Sequence, residues 1–263
     1  MNTVKDISKA IEKRAPKFLK EDYDNVGLMV GDQNKEVKSI LLALDCTNKV
    51  LKEGIDNKVD LIITHHPLIF KKPKNIIQGD LLGEKVINLI KNDISLYSCH
   101  TNLDSAKLGI NETVVEILGF NSDQIIETSS IKGFEDSGIG RIVKLENKIQ
   151  LTDIINTIKS KLNINHMRVV EGNNKVSTLA IINGSGQDLF NKAKECGADC
   201  IITGDTTYHF ASDFKEMGIS IIDAGHFSTE WIAYLKSLEF LKEEFKDIEF
   251  IISEKCEDPY SFI

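Results

Sequence analysis

The sequence predicts an α/β protein built from two repeats around mixed or parallel sheets. Three observations predict it. Short, β-branched apolar runs alternate with amphipathic helical stretches along the 263 residues. The pattern of the first half returns in the second. Histidines and carboxylates stand where the apolar runs end. The length permits one large domain or two smaller lobes, with enough chain for a sizeable core. A composition of 41% hydrophobic and 27% charged residues belongs to a globular chain rather than a disordered one. No apolar run is long enough to span a bilayer. Residues 1–14 mix charges with isolated apolar positions, so no secretory signal is expected. Five cysteines show no disulfide or metal spacing, and reduced thiols in a cytoplasmic protein are the simplest reading. The net charge of −8 argues against non-specific binding to nucleic acid, and with no spanning run no membrane partner is expected. It leaves a small anionic substrate open, because a bound cation would dominate the local field.

In order, residues 4–15 form an amphipathic helix with Val4, Ile7, Ile11 and Ala15 on one stripe, ended by Pro16. Residues 24–31 are a turn running into a short strand. A strand at 39–44 follows, with Asp45 and Thr47 at its end able to start a helix at 48–57. Residues 60–64 are a third strand that delivers His65 and His66, and Pro67 holds His66 extended or in a turn. A long connection contains Phe70 and Pro73. A helix at 81–91 leads to a strand at 94–99, which ends in His100-Thr-Asn-Leu-Asp104. The helix at 111–118 takes Asn111 as its cap and Gly119 as its stop. The polar stretch 121–138 reads as the link between a first repeat, 1–120, and a second, 139–263.

The plan then recurs: helix 152–162, short strand 166–172, strand 178–183, helix 188–195 and strand 199–203. Displacing the chain by 139 positions superposes 39–64 on 178–203 without a gap, so Asp60, Ile62, Ile63 and Thr64 fall on Asp199, Ile201, Ile202 and Thr203. The match breaks at His65-His66, which meets Gly204-Asp205. It recovers at the strand 219–224, which ends in Gly225-His-Phe-Ser-Thr-Glu230. Each half thus ends a strand with His-x-x-x-carboxylate. A helix at 231–245 follows, with Ser228 as its cap, and a last strand at 250–253.

Ligands of α/β sheets gather at the carboxyl ends of strands. Four of the six histidines, His65, His66, His100 and His226, fall at strand ends, with Asp104 and Glu230 spaced alike from two of them. Singly, each has an ordinary structural reading: a packed core histidine or an acid at a helix start. Together they suffice for two divalent transition-metal ions of Zn, Fe, Mn, Ni or Co type. Cysteine is absent from the set, which argues against a closed structural zinc site. Two ions about 3.5–4 Å apart sharing a carboxylate would activate water. Gly184-Ser-Gly186 is either a simple turn or a phosphate cradle. Asp205 and His209 are candidates for a catalytic acid/base group or for orienting a ligand. His166 reads as structural or surface.

The chain resembles the NIF3-like (DUF34) family, whose bacterial members are labelled GTP cyclohydrolase 1 type 2 homologues. The resemblance rests on Asp24-Asn-Val-Gly-Leu, Ile63-Thr-His-His-Pro-Leu-Ile-Phe70, His100-Thr-Asn-Leu-Asp104, Gly184-Ser-Gly186, Thr203-Gly204 with Tyr208-His209, and Asp223-Ala-Gly-His-Phe-Ser-Thr-Glu230. These stretches run in order over nearly the whole chain. Tyr23 stands where many members have tryptophan, and the central insert of longer members is missing. The resemblance implies two intertwined α/β repeats with mixed sheets and a dinuclear metal site. It implies that His65, Asp104 and Glu230 hold one ion and His66, His226 and Glu230 the other, with His100 beside them. It also implies a homohexamer, a trimer of dimers. The function expected on this basis is a metal-dependent hydrolase of a nucleotide or related small anion. A non-catalytic metal-binding regulatory or storage scaffold is the second reading.

Overall fold

The computed structural model describes residues 1–263, which form two compact units. The first comprises 1–106 and 237–257, and the second 107–236 and 258–263. The C-terminal segment thus returns to the first unit, and the last six residues to the second. No helix is long and apolar enough to cross a membrane.

The first unit holds a five-stranded mixed sheet, made of β1 (Gly27–Val30), β2 (Ser39–Ala43), β3 (Leu61–Thr64), β4 (Ser95–Ser98) and β11 (Glu249–Ile252) in the order β1-β4-β3-β2-β11. β11, β2, β3 and β4 are parallel, and β1 lies antiparallel on β4. Leu41, Ile62 and Leu96, one from each of β2, β3 and β4, pack with Val50 and Leu51 of α2 (Asn48–Asp56) and Val86 and Leu89 of α3 (Leu81–Lys91). Strands covered this way read as unbroken apolar runs, which is why β3 is legible from Leu61-Ile-Ile-Thr alone. Helix α1 (Val4–Arg14) starts on a capping box: Thr3 N–H donates to Asp6 at 2.9 Å, and Asp6 N–H donates to the Thr3 hydroxyl at 3.3 Å. Thr47 caps α2.

The second unit holds a six-stranded mixed sheet, with β5 (Gln124–Thr128), β6 (Gly138–Gln150), β8 (Lys175–Ile181), β9 (Cys200–Thr203), β10 (Ser220–Asp223) and β7 (Arg168–Val170) in that order. β8, β9 and β10 are parallel, and β7 lies antiparallel on β10 as β1 does on β4. The four-strand plan of the first sheet is therefore repeated here. The two sheets differ in the neighbour each takes next: β11 beside β2, and β6 beside β8.

Several elements differ from the sequence expectation. The stretch 121–138 is not a plain link: it contains β5, which pairs antiparallel with β6. β6 itself, polar over its second half, continues that hairpin and was not expected as a strand. The helix expected at 231–245 is two helices, α9 (His226–Ser237) and α10 (Glu239–Glu244). Ser228 lies inside α9 rather than capping it. Gly225, at φ +89, lets the chain turn from β10 straight into the helix. Asn111 does not cap α5 (Ile110–Leu118); Gly109 does, and the Asn111 side chain accepts the Asn183 N–H at 3.2 Å instead.

Candidate metal centre

In the first unit β2, β3 and β4 run parallel as neighbours, so their carboxyl ends share one edge. β2 runs out into Asp45, β3 into His65-His66 and β4 into Cys99-His100. The ladder persists past the strands: His66 N–H donates to Leu44 O at 2.9 Å and Cys99 N–H to Thr64 O at 3.0 Å. This brings three imidazoles together. Ring centroids are 5.0 Å apart for His65 and His66, 5.1 Å for His65 and His100, and 5.6 Å for His66 and His100. One ligand atom from each lies within 4.8 Å of the others. Asp104, from the short helix α4 (Thr101–Ser105), places Oδ1 3.7 Å from His65 Nε2.

In the second unit His226 is the first residue of α9, and Glu230 follows one turn later, with Nε2 and Oε2 2.9 Å apart. Gly184, just beyond β8, lies directly against this carboxylate: a Cβ built there would be 2.1 Å from Glu230 Oε1. Only glycine allows that approach. Buried Asp223 holds the exit of β10, accepting N–H groups from Gly225 at 3.1 Å and Thr206 at 2.9 Å.

Each of the four histidines has Nδ1 against an oxygen. His65 meets the Cys99 carbonyl at 2.8 Å, His66 meets Asp45 at 2.9 Å, His100 meets Asp24 at 2.9 Å and His226 meets Asp205 at 2.8 Å. A carbonyl or ionised carboxylate can only accept, so in His65, His66 and His100 Nδ1 carries the proton and Nε2 the lone pair, whereas His226 faces a carboxylate with each nitrogen. Metal-bound imidazoles are held in this way. Asp24 is buried; burial alone would raise its pKa, but the hydrogen bonds from His100 and Thr101 outweigh that and lower it to about 2.

The donor set fits a metal ion. Bonds of about 2.0–2.2 Å put neighbouring donor atoms about 3 Å apart. The His226–Glu230 pair matches that edge, and the His65–Asp104 pair is somewhat wider. Imidazole and carboxylate donors suit first-row transition ions. Cys99 directs its thiol toward the Thr64 carbonyl at 3.8 Å, and burial pushes its pKa far above the usual thiol range.

All six expected metal ligands thus fall in two sets, His65, His66, His100 and Asp104 in one unit and His226 and Glu230 in the other. Asp205 is the Nδ1 acceptor of His226. His209 is exposed in the first turn of α8 (Tyr208–Glu216), its ring edge-on to Tyr208 at 5.5 Å between centroids. Asp24 and Asp45, the carboxylates that orient His100 and His66, escaped the sequence reading. Their histidines are 76 and 21 positions away, and only the sheet brings them together.

The fold and cluster define a mixed-sheet α/β protein able to hold a metal ion on histidines and carboxylates. The family model described as Duf34/NIF3 (NGG1p interacting factor 3) matches residues 2–259, and the chain belongs to that family. It is 54% identical over 260 residues to a GTP cyclohydrolase 1 type 2 homolog of Clostridium perfringens, covering 98% of both chains. It is 47% identical to the protein of the same name in Clostridium acetobutylicum, again covering 98% of each. Among solved structures, a Staphylococcus aureus hypothetical protein superposes with a TM-score of 0.90 at 32% identity over 99% of both chains.

Proposed function

We propose that the chain is a dinuclear metal-dependent hydrolase of a nucleotide or related small anion, with ring opening of GTP as the first reaction to test. The observation that supports this reading is the set of four histidines whose Nδ1 atoms all meet an oxygen, which leaves Nε2 as the atom of each that could ligate a metal. In this reading His65, His66, His100 and Asp104 of the first unit and His226 and Glu230 of the second are the residues that would hold metal. When bound, such ions polarise substrate oxygens and bring the pKa of water toward neutrality. The chain's own residues do the rest. Asp24, Asp45 and Asp205 fix the tautomer and aim of three imidazoles, and the Cys99 carbonyl fixes the fourth. The missing side chain at Gly184 leaves room for the Glu230 carboxylate. His209 is the proposed proton-transfer group. The partners are further copies of this chain in a homohexamer, a trimer of dimers. The choice of GTP follows the name carried by the clostridial relatives.

The test is incubation of metal-reconstituted protein with GTP, following formate release and loss of the purine absorbance. The expected result is turnover that a chelator abolishes and added metal restores, reduced at least tenfold by His209→Ala with metal content unchanged. Intact GTP in the presence of fully loaded protein would contradict the cyclohydrolase reading and leave a metal-binding scaffold.

A further inference from the structure

The connection after β3 carries features that the metal ligands do not explain. Phe70 follows the His65-His66-Pro67 turn and packs edge-on against His100, with centroids 6.5 Å apart. Tyr23, beside the Asp24 that orients His100, packs against Phe70 with centroids 6.2 Å apart. Both rings face solvent, Tyr23 66% exposed and Phe70 42%. They are not loose: the Asn25 side-chain amide donates to the Ile69 carbonyl at 2.6 Å and ties the two loops together. Burying such rings is the ordinary outcome of folding, so a fixed, exposed pair beside a ligand histidine points to something that covers it.

The next residues state the charge of that occupant. Lys71, Lys72 and Lys74 are all exposed and none forms an ion pair. They stand in a chain of net charge −8, and the histidine cluster is flanked by the carboxylates of Asp24, Asp45 and Asp104. A cationic run there is not what solubility requires. It offsets the repulsion an anion would meet on approach. Aromatic faces followed at once by lysines are the combination that grips a nucleotide, with the base on the rings and the phosphates on the ammonium groups.

We propose that Tyr23 and Phe70, with Lys71, Lys72 and Lys74, form the recognition subsite for a nucleoside polyphosphate beside the His65, His66 and His100 cluster. The rings stack on the planar base, and the lysines neutralise the phosphate chain. The inference rests on the nucleotide reading of the metal centre and assigns the residues that read the substrate.

The test measures binding of GTP, guanosine and inorganic triphosphate to the metal-loaded full-length protein by calorimetry. Metal content and oligomeric mass are recorded for every variant. Replacing both rings, Tyr23→Ala with Phe70→Ala, should weaken GTP and guanosine at least tenfold and leave inorganic triphosphate unchanged. Keeping the rings, Tyr23→Phe with Phe70→Tyr, should restore guanosine binding. Changing all three lysines to glutamine should weaken GTP and triphosphate alike, flatten the salt dependence of GTP binding and spare guanosine. Three results would overturn the subsite. One is equal binding of guanosine by wild type and the double-alanine variant. Another is no nucleotide binding by wild type at full metal load. The third is a double-alanine variant that keeps nucleotide affinity but falls apart into smaller species, which would make the patch a contact between copies. Metal content separates these from failure of the metal centre, because none of the five residues is a proposed ligand.

Discussion

Single carboxylates decide how the imidazoles point. Asp24 is held by the His100 ring, the Thr101 N–H at 3.1 Å and the Thr101 hydroxyl at 2.5 Å, so its geometry leaves little freedom to His100. Asp45 and Asp205 are more exposed, yet each meets Nδ1 of its histidine at 2.9 and 2.8 Å. Changing Asp24, Asp45 or Asp205 to asparagine lets the amide flip and present a donor, which favours the wrong tautomer. The expected outcome is a 10- to 100-fold fall in metal affinity for each, read by chelator competition, with the fold intact by circular dichroism. Unchanged affinity in all three would mean that these contacts do not organise ligands. The cysteines make a contrasting case. Burial drives the thiol of Cys46 up to about 12 and those of Cys99 and Cys200 higher still. Native protein at pH 8 should therefore expose at most Cys196 and Cys256 to a thiol reagent, and all five after denaturation.

At the scale of elements, the second unit depends on a buried cation. The Arg141 side chain of β6 is 1% exposed, and its Nε donates to Glu112 of α5 at 2.7 Å. Its Nη1 donates to the carbonyls of Gly138 and Gly140 at 2.8 and 3.0 Å. Glu112→Ala leaves the guanidinium buried without its counter-charge and should cost about 3 kcal/mol of unfolding free energy, measured by denaturant titration. Arg141→Met, of similar length and no charge, should cost less than Glu112→Ala; the reverse order would show that the pair is not the issue. Sequence reading fared unevenly at this scale, for physical reasons. β2, β3, β8, β9 and β10 were legible because parallel strands buried on both faces are continuous apolar runs. β5 and β6 were not, because Lys144, Glu146 and Lys148 of β6 lie in a strand whose far half faces solvent and carries little apolar pattern. The start of α9 was placed five residues late. His226 and Glu230 belong to its first turns, and polar ligand residues hide the helical stripe that begins clearly only at Trp231.

For the whole molecule, the repeat and the strand-end histidines were legible, and the groups that orient those histidines were not. The 139-residue displacement aligns β2 and β3 with β8 and β9, which hold equivalent places in the four-strand plan the two sheets share. Nothing local in the chain links Asp24 to His100 or Gly184 to Glu230, since those contacts exist only once strands pair. The proposed hexamer is tested by light scattering on native protein, with an expected mass about six times 29.4 kDa. A monomeric mass at working concentration would contradict it.

The most direct measurement is the metal content of native-purified protein by elemental analysis, set against Glu230→Ala. The proposed centre, with His65, His66, His100, Asp104, His226 and Glu230 as its ligands, predicts about two first-row transition ions per chain, with most of that metal lost in the variant. Protein that carries no such metal and takes none up on reconstitution would contradict the metal centre and the hydrolase reading built on it.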